Sequence, residues 1–356
     1  MPPSHSRQRS PLQEFQLIDT LHRRYGRTGP RVVRGIGDDA AVVTALKGHE
    51  WVVTTDLVTE GVHFDLTTAT CEEIGYKAAV ANLSDIAAMG AKPDYLLVSM
   101  ASPTSRTAAD IERLYRGIMR ACRPYGVELI GGDTSASLQG LFVNIVLIGS
   151  VPAGRALTRD GAQAGHLIYV TGTLGDSLAG LNLLSGRRSL KGSFGAMTRT
   201  DQGLVRRHLR PTPRLEIGYT LSTQRLATAA IDLSDGLSGD LRHVCAQSHV
   251  GADIDADALP ISPALRGYAQ RHRIDPLELA LQGGEDYELL FTIAPRHRLT
   301  VERLGRETAC KLSCIGIVRP HRSGVRLKDR SGRMRRLPLL SYRHFRPMPH
   351  PRRGGR

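Results

Sequence analysis

An α/β protein of the α+β type, built from two domains, is what the sequence predicts, and three observations carry that expectation. The chain has 356 residues, enough for about two domains at the usual ~150 residues each. Short apolar, β-branched runs alternate with Ala-rich or amphipathic segments along most of its length. The alternation divides near residue 150 into two units of similar size, without the strictly regular crossover of a doubly wound sheet. Hydrophobic residues make up 41% and charged residues 23%, which excludes collagen-like and wholly disordered chains.

Residues 1–11 read as a disordered basic arm, and FQLIDTLHRRY behind them as a short amphipathic helix that opens an N-terminal domain over 12–150. AAVVTAL and WVVTTD are two strands separated by the turn-like LKGHE, so a hairpin is expected between them. TCEEIGYKAAVANLSDIAAMG has apolar residues at helical spacing and closes on Gly90, a helix with a glycine stop. Strand YLLVSMA, helix AADIERLYRGIMRACRPYG, and strands VELIGG and FVNIVLIGSV complete the unit. The C-terminal domain, 151–346, is expected to be an α/β sandwich. It opens with the strand, glycine turn and helix of HLIYVTGTLGDSLAGL, then a Gly/Ser/Lys/Arg loop. Helix RLEIGYTLSTQRL, strand AAIDLS, helix DGLSGDLRHVCAQS and strands GADIDA, YELLFTIA and CIGIV follow.

The formal charge of +14 raises the question of a nucleic-acid partner. Arg319 to Arg356 holds 13 Lys and Arg against Asp329 alone, a net of +12, which leaves the rest of the chain at +2. RPHRSGVRLKDRSGRMRRLP reads as a polar hairpin and residues 347–356 as a disordered basic tail. Such tails are ordinarily solvated; a catalytically idle protein binding nucleic acid through this segment is the alternative. The near-neutral body and the lack of an interleaved aromatic and basic stripe argue against it. The apolar run from Leu141 to Ile148 is too short for a bilayer, so no membrane partner is expected. No apolar stretch follows the N-terminal arginines, and five cysteines without a C-x-x-C pair suit a reducing compartment, so a cytoplasmic location is expected.

Aspartates recur where apolar sequence meets loop. Asp56 ends WVVTTD, Asp133 follows VELIGG, Asp232 and Asp235 bracket Leu233 and Ser234, Asp38 and Asp39 follow a Gly-Ile-Gly turn, and Asp85 lies with Ser84 on the Ala-rich helix. Half-buried carboxylates must be paired, capped or bound to cations. Any one of them can be a cap or turn residue, as Asp235 and Asp133 illustrate. As a converging group they would suit magnesium, a hard cation that keeps waters for phosphate to replace. There is no G-x-x-x-x-G-K-[ST] loop, so phosphates would be held by metal, backbone N–H groups and cations, Lys77 and Arg159 being nearest in sequence. TGTLGDS could cradle phosphate at a helix start or be merely a tight turn. In QGGEDYELLF, Asp286 and Glu288 read as solvated strand-edge charges.

The motifs GIGDDAA (35–41), TTDLVTEGVHF (54–64), NLSDIAAMGAKP (82–93), GGDT (131–134), GRALTRDGA (154–162), VTGTLGDS (170–177), AIDLSDGL (230–237), GGEDYEL (283–289) and YRHF (342–345) occur in this order. Together they resemble the bacterial thiamine-monophosphate kinases, of the superfamily that includes aminoimidazole ribonucleotide synthetase and selenophosphate synthetase. The resemblance runs from about Phe15 to Phe345. It implies magnesium-dependent, ATP-driven phosphorylation of thiamine monophosphate, and a homodimer whose N-terminal mixed sheets join in a shared barrel. By the same resemblance Asp38, Thr54, Thr55, Asp56, Asp85, Asp232 and Asp235 would hold the magnesium ions. Asp38, Tyr115, Gly132, Asp133, Arg159 and Ser234 would meet ATP, while His63, Glu285 and Phe345 would meet the acceptor. On the residues alone, His63 could be an ordinary loop histidine, and Tyr115 and Phe345 core aromatics. Another ATP-using member of the superfamily is the alternative within the same chemistry. Selenophosphate synthetase is disfavoured, because no reactive cysteine lies in a glycine-rich arm before the body.

Overall fold

The computed structural model describes residues 14–26, 29–34, 42–186 and 197–341. Both basic termini, most of the loop around residue 190, and with them Asp38, Asp39 and Phe345, lie outside the described residues.

The first unit begins with α1 (Glu14–Tyr25) and a small antiparallel pair, β1 (Val32–Arg34) with β2 (Val42–Val43). The expected hairpin between AAVV and WVVTTD does not form. Instead β3 (His49–Thr59) pairs along all its eleven residues with β6 (Phe142–Pro152), a partner of matching length that two-residue β2 could not supply. With β4 (Lys92–Pro103) and β5 (Glu128–Ser137) they make a sheet in the order β3-β6-β4-β5, mixed because β4 and β5 run parallel.

Alternation gives this sheet two unlike faces. Val52, Val143, Ile145, Leu147, Leu96 and Val98 are buried on the inner face. Against it packs α2 (Cys71–Ala88), started by a reciprocal cap between Thr70 and Glu73. Helix α3 (Ala108–Cys122) lies on α2 so closely that a Cβ on Gly75 would fall 2.0 Å from the Leu114 carbonyl oxygen. On the outer face, Trp51, Val53, Leu57 and Phe142 remain exposed.

The second unit is a seven-stranded sheet in the order β13-β12-β9-β11-β7-β10-β8. Its strands are β7 (Leu167–Thr171), β8 (Ala227–Asp232), β9 (Val250–Asp255), β10 (Leu289–Ile293), β11 (Leu312–Pro320), β12 (Val325–Lys328) and β13 (Met334–Arg336). The expected polar hairpin is the antiparallel pair β12 and β13. Seven helices accompany the sheet among the described residues: α4 (Asp176–Ser185), α5 (Arg199–Leu209), α6 (Leu215–Thr223), α7 (Leu237–Gln247), α8 (Pro263–His272), α9 (Pro276–Gln282) and α10 (Arg298–Glu307). Of these, α5, α8, α9 and α10 carry no expectation from sequence. Helix α2 is the pivot of the molecule, touching β3 on one side and α6, β8 and α5 on the other.

Asp286 and Glu288 are not solvated edge charges, being 2% and 0% exposed. Glu288 accepts hydrogen bonds from Arg214 Nε and Nη2, Arg207 Nη2 and the Thr171 hydroxyl, each at 2.6 Å. Burial alone would raise its pKa; the two guanidinium groups more than offset that and lower it. Glu288→Ala would leave two arginines partly desolvated without their anion, so a loss of about 3–5 kcal/mol in unfolding free energy is expected by urea denaturation. A loss below about 1 kcal/mol would mean that water, not Glu288, neutralises them.

Candidate functional site

Between the units lies a cavity of about 1290 Å³ whose wall is drawn from β3, α2, α4, α5 and the turns after β8 and before β10. At one end the structure brings together Asp56, Asp85 and Asp232, from strand, helix and strand respectively. Thr54 donates its hydroxyl to Asp85 Oδ2 at 2.5 Å, and Ser84 donates to Asp232 Oδ2 at 2.8 Å across the seam between the units. Asp56 and Asp85 act on each other electrostatically as neighbouring half-buried carboxylates. Burial first, and Asp85 second, push Asp56 up to about 7. Burial raises Asp85 as well, and burial with the neighbouring carboxylates drives Asp232 well above the ordinary range.

The other expected residues divide clearly. Ser234 and Asp235 line the cavity. Asp235 is not a helix cap: the start of α7 is held instead by Asp240, which accepts from the backbone N–H groups of Asp235 and Gly236 at 3.2 and 3.0 Å. Arg159 is exposed but acts electrostatically on Asp85 and Asp240, placing a cation at the rim of the acidic end. Thr55 also lines the cavity, though its hydroxyl lies on the outer sheet face and donates to Asn144 Oδ1 at 3.0 Å. Gly132 and Asp133 are exposed on edge strand β5, away from the cavity wall, with Asp133 accepting from the Thr134 N–H at 2.9 Å. Tyr115 is a core residue of α3, 3% exposed, and takes no part in the wall.

Opposite the acidic end sit His63, Lys77, His208 and Glu285. His63 Nδ1 accepts the Thr59 backbone N–H at 3.1 Å, so the neutral ring carries its proton on Nε2. Glu285 and Tyr287 adopt positive φ, 61° and 51°, a conformation uncommon for residues with a side chain. Hydrogen bonds from their backbone N–H groups to the Ser234 and Leu233 carbonyls hold them there. Sequence reasoning missed His208, whose helix α5 has no strong start signal beyond Thr198. The phosphate cradle considered for TGTLGDS is also ruled out as built. Asp286 already accepts from the N–H groups of Gly175 and Ser177, at 2.6 and 3.1 Å, at the start of α4.

Among the described residues, no three His, Cys, Asp or Glu side chains are placed as a ready metal-binding group. The chemistry of the donors nevertheless suits a hard cation: three carboxylates lie against small hydroxyl residues with no arginine paired to them directly. No described helix is long and apolar enough to cross a membrane.

The two units together belong to the AIR synthase related class of proteins. Residues 37–151 match the AIR synthase related protein N-terminal domain and 163–328 the corresponding C-terminal domain. Within it the chain belongs to the thiamine-monophosphate kinase family. It is 38% identical to the thiamine-monophosphate kinase of Escherichia coli strain K12 over 93% of this chain and 98% of that one. Among solved structures it resembles the thiamine-monophosphate kinase of Stenotrophomonas maltophilia K279a, with a TM-score of 0.78 and 38% identity over 89% of this chain and 97% of that one. It also resembles AaThiL complexed with AMPPCP and TMP, with a TM-score of 0.74 and 34% identity over 93% and 97%.

A group whose folded pKa is raised contributes stability below its unfolded pKa and loses it as pH rises through the folded value. For Asp56 that window runs from about 4 to about 7. Urea unfolding of metal-free protein should therefore show Asp56→Asn gaining stability relative to the parent between pH 5 and pH 8. A difference independent of pH would remove the raised Asp56 titration from the account.

Proposed function

We propose that this chain transfers the γ-phosphoryl group of ATP to the phosphate of thiamine monophosphate, forming thiamine diphosphate and ADP with magnesium at the carboxylates. The observation that carries the reading is the cavity itself, with Asp56, Asp85 and Asp232 at one end and His63, Lys77 and Glu285 at the other. Family membership and the ATP-analogue and TMP complex of AaThiL support it.

An acceptor phosphate monoester is already largely ionised near neutral pH, its second pKa being about 6, so no strong general base is needed. What the site must do is bring two anions into line. Magnesium, when bound, supplies neutralisation of the donor and acceptor oxygens. Asp56, Asp85, Asp232, Asp235 and the Thr54 hydroxyl would hold it, together with Asp38. Thr55, whose hydroxyl faces the outer side, has only its backbone carbonyl to offer. Arg159, Ser234, Gly132 and Asp133 would meet ATP. His63 Nε2–H is the donor for the acceptor phosphate, and Glu285 and Phe345 would receive the acceptor's rings.

The exposed outer face of the first sheet supports a homodimer. Trp51, Val53, Leu57 and Phe142 form a row of apolar side chains across β3 and β6, where a second copy would remove them from water. Light scattering is expected to give twice the chain mass for the parent and the single-chain mass for Val53→Glu with Leu57→Glu.

An ATP-consumption assay comparing thiamine monophosphate with free thiamine, aminoimidazole precursors and selenide tests the reaction. Turnover with the monophosphate alone is expected, and ATP use only with another acceptor would overturn the assignment. Asp56→Asn and Asp232→Asn should each lower kcat by about 10²-fold or more while the protein stays folded by circular dichroism. His63→Ala should raise the KM for the acceptor more than that for ATP. Because cation binding displaces the Asp56 proton, magnesium affinity by calorimetry should weaken as pH falls below about 7.

A further inference from the structure

Lys77 projects from α2 of the first unit into the second and meets two side chains there. Its Nζ lies 2.6 Å from Glu285 Oε1 and 3.3 Å from His208 Nε2. An ammonium can only donate, so His208 Nε2 is the acceptor and the ring proton sits on Nδ1. That Nδ1–H points to Ser177 Oγ at 3.1 Å, with Glu285 Oε2 at 3.6 Å. Both ring nitrogens are thus committed, one to each unit. Lys77, His208 and Ser177 are 9%, 5% and 1% exposed, and all three line the cavity.

We propose that Lys77 and His208 are positioning residues for the acceptor, fixing Glu285 from across the seam so that its carboxylate receives the ring end of thiamine monophosphate. This rests on the functional reading above, in which Glu285 meets the acceptor. The acceptor's rings carry a cationic thiazolium and an aminopyrimidine, partners for an ionised carboxylate and not for a carboxylic acid. Burial would push Glu285 toward the acid form, and the Lys77 charge outweighs it, lowering its pKa. Burial, with Lys77 beside it, drives His208 down to about 3 and keeps it neutral. A second fixed positive charge would oppose a cationic ring; a neutral imidazole supports Lys77 without adding one. Arg207, the residue before His208, is locked on Glu288, so the strained turn carrying Glu285 and the helix carrying His208 are tied together independently of the substrate.

The test is steady-state kinetics of Lys77→Met, Lys77→Arg and His208→Asn, with the Glu285 carboxyl titration followed by carbon-13 NMR in each. Lys77→Met should raise the KM for thiamine monophosphate at least about tenfold while that for ATP stays within about twofold. Lys77→Arg should recover part of the loss. The Glu285 titration should move to higher pH in Lys77→Met and return toward the parent in Lys77→Arg. An unchanged acceptor KM, or equal losses for ATP and acceptor, would overturn the proposal in favour of a purely structural tie. Should Lys77→Met not fold, His208→Asn decides, because it removes the imidazole at unchanged charge: a raised acceptor KM supports the proposal and an unchanged one overturns it. A parent that never turns over thiamine monophosphate would sink the functional reading instead. The Glu285 titration would then still decide whether Lys77 governs that carboxylate.

Discussion

The unequal treatment of buried and half-buried carboxylates is the constraint on which the rest of the molecule depends. Glu288 and Glu285 receive cations, two arginines for one and a lysine for the other, and Glu288 is held ionised despite full burial and Glu285 despite half-burial. Asp56, Asp85 and Asp232 receive hydroxyl groups and one another, and their pKa values climb. A fold that locks two arginines on one buried acid and leaves three others without a direct ion pair keeps a place for charge that arrives with a ligand. The separation is spatial as well as chemical: Glu288 braces the second unit, whereas Glu285 with its lysine and the three unpaired acids stand at opposite ends of the cavity.

Four consecutive residues connect these two populations. Glu285, Asp286, Tyr287 and Glu288 each have a different anchor: Lys77, the start of α4, the buried core, and the arginine pair. Two of the four sit at positive φ, and the surrounding hydrogen bonds over-determine that conformation. The glycines before them let the chain run against its neighbours: a Cβ on Gly284 would lie 2.6 Å from the Ser234 carbonyl oxygen. The turn therefore stacks directly on the segment between Asp232 and Asp235, which makes the acidic end and the acceptor end one rigid construction.

Much of this was legible in the chain. The strand-end positions of Asp56 and Asp232, and the Ala-rich helix bearing Asp85, point to a shared site because each acid interrupts apolar sequence that has to be buried. The ordered motifs give the family. What could not be read is what depends on partners distant in sequence. Asp286 and Glu288 look like surface charges until Gly175 and Arg214 are known to face them, 111 and 74 residues away. His208 lies in a helix rich in arginine whose buried face is narrow. Val42 and Val43 pair with β1 because β3 already has a longer ladder in β6. Tyr115, by contrast, is placed as its residue type alone suggests, in a core, and Asp133 makes the local hydrogen bond expected of it, though on a strand and not in a turn.

Strand β3 serves two surroundings at once, with Thr54 and Asp56 turned toward α2 and Val53, Thr55 and Leu57 turned outward. Its period of two makes the assignment all or nothing. A slip of a single residue against β6 would carry the acid out among exposed aliphatic groups and turn Leu57 onto the inner face beside α2. The unbroken eleven-residue pairing is thus a register lock, and a one-residue insertion within it would exchange the roles of both faces together.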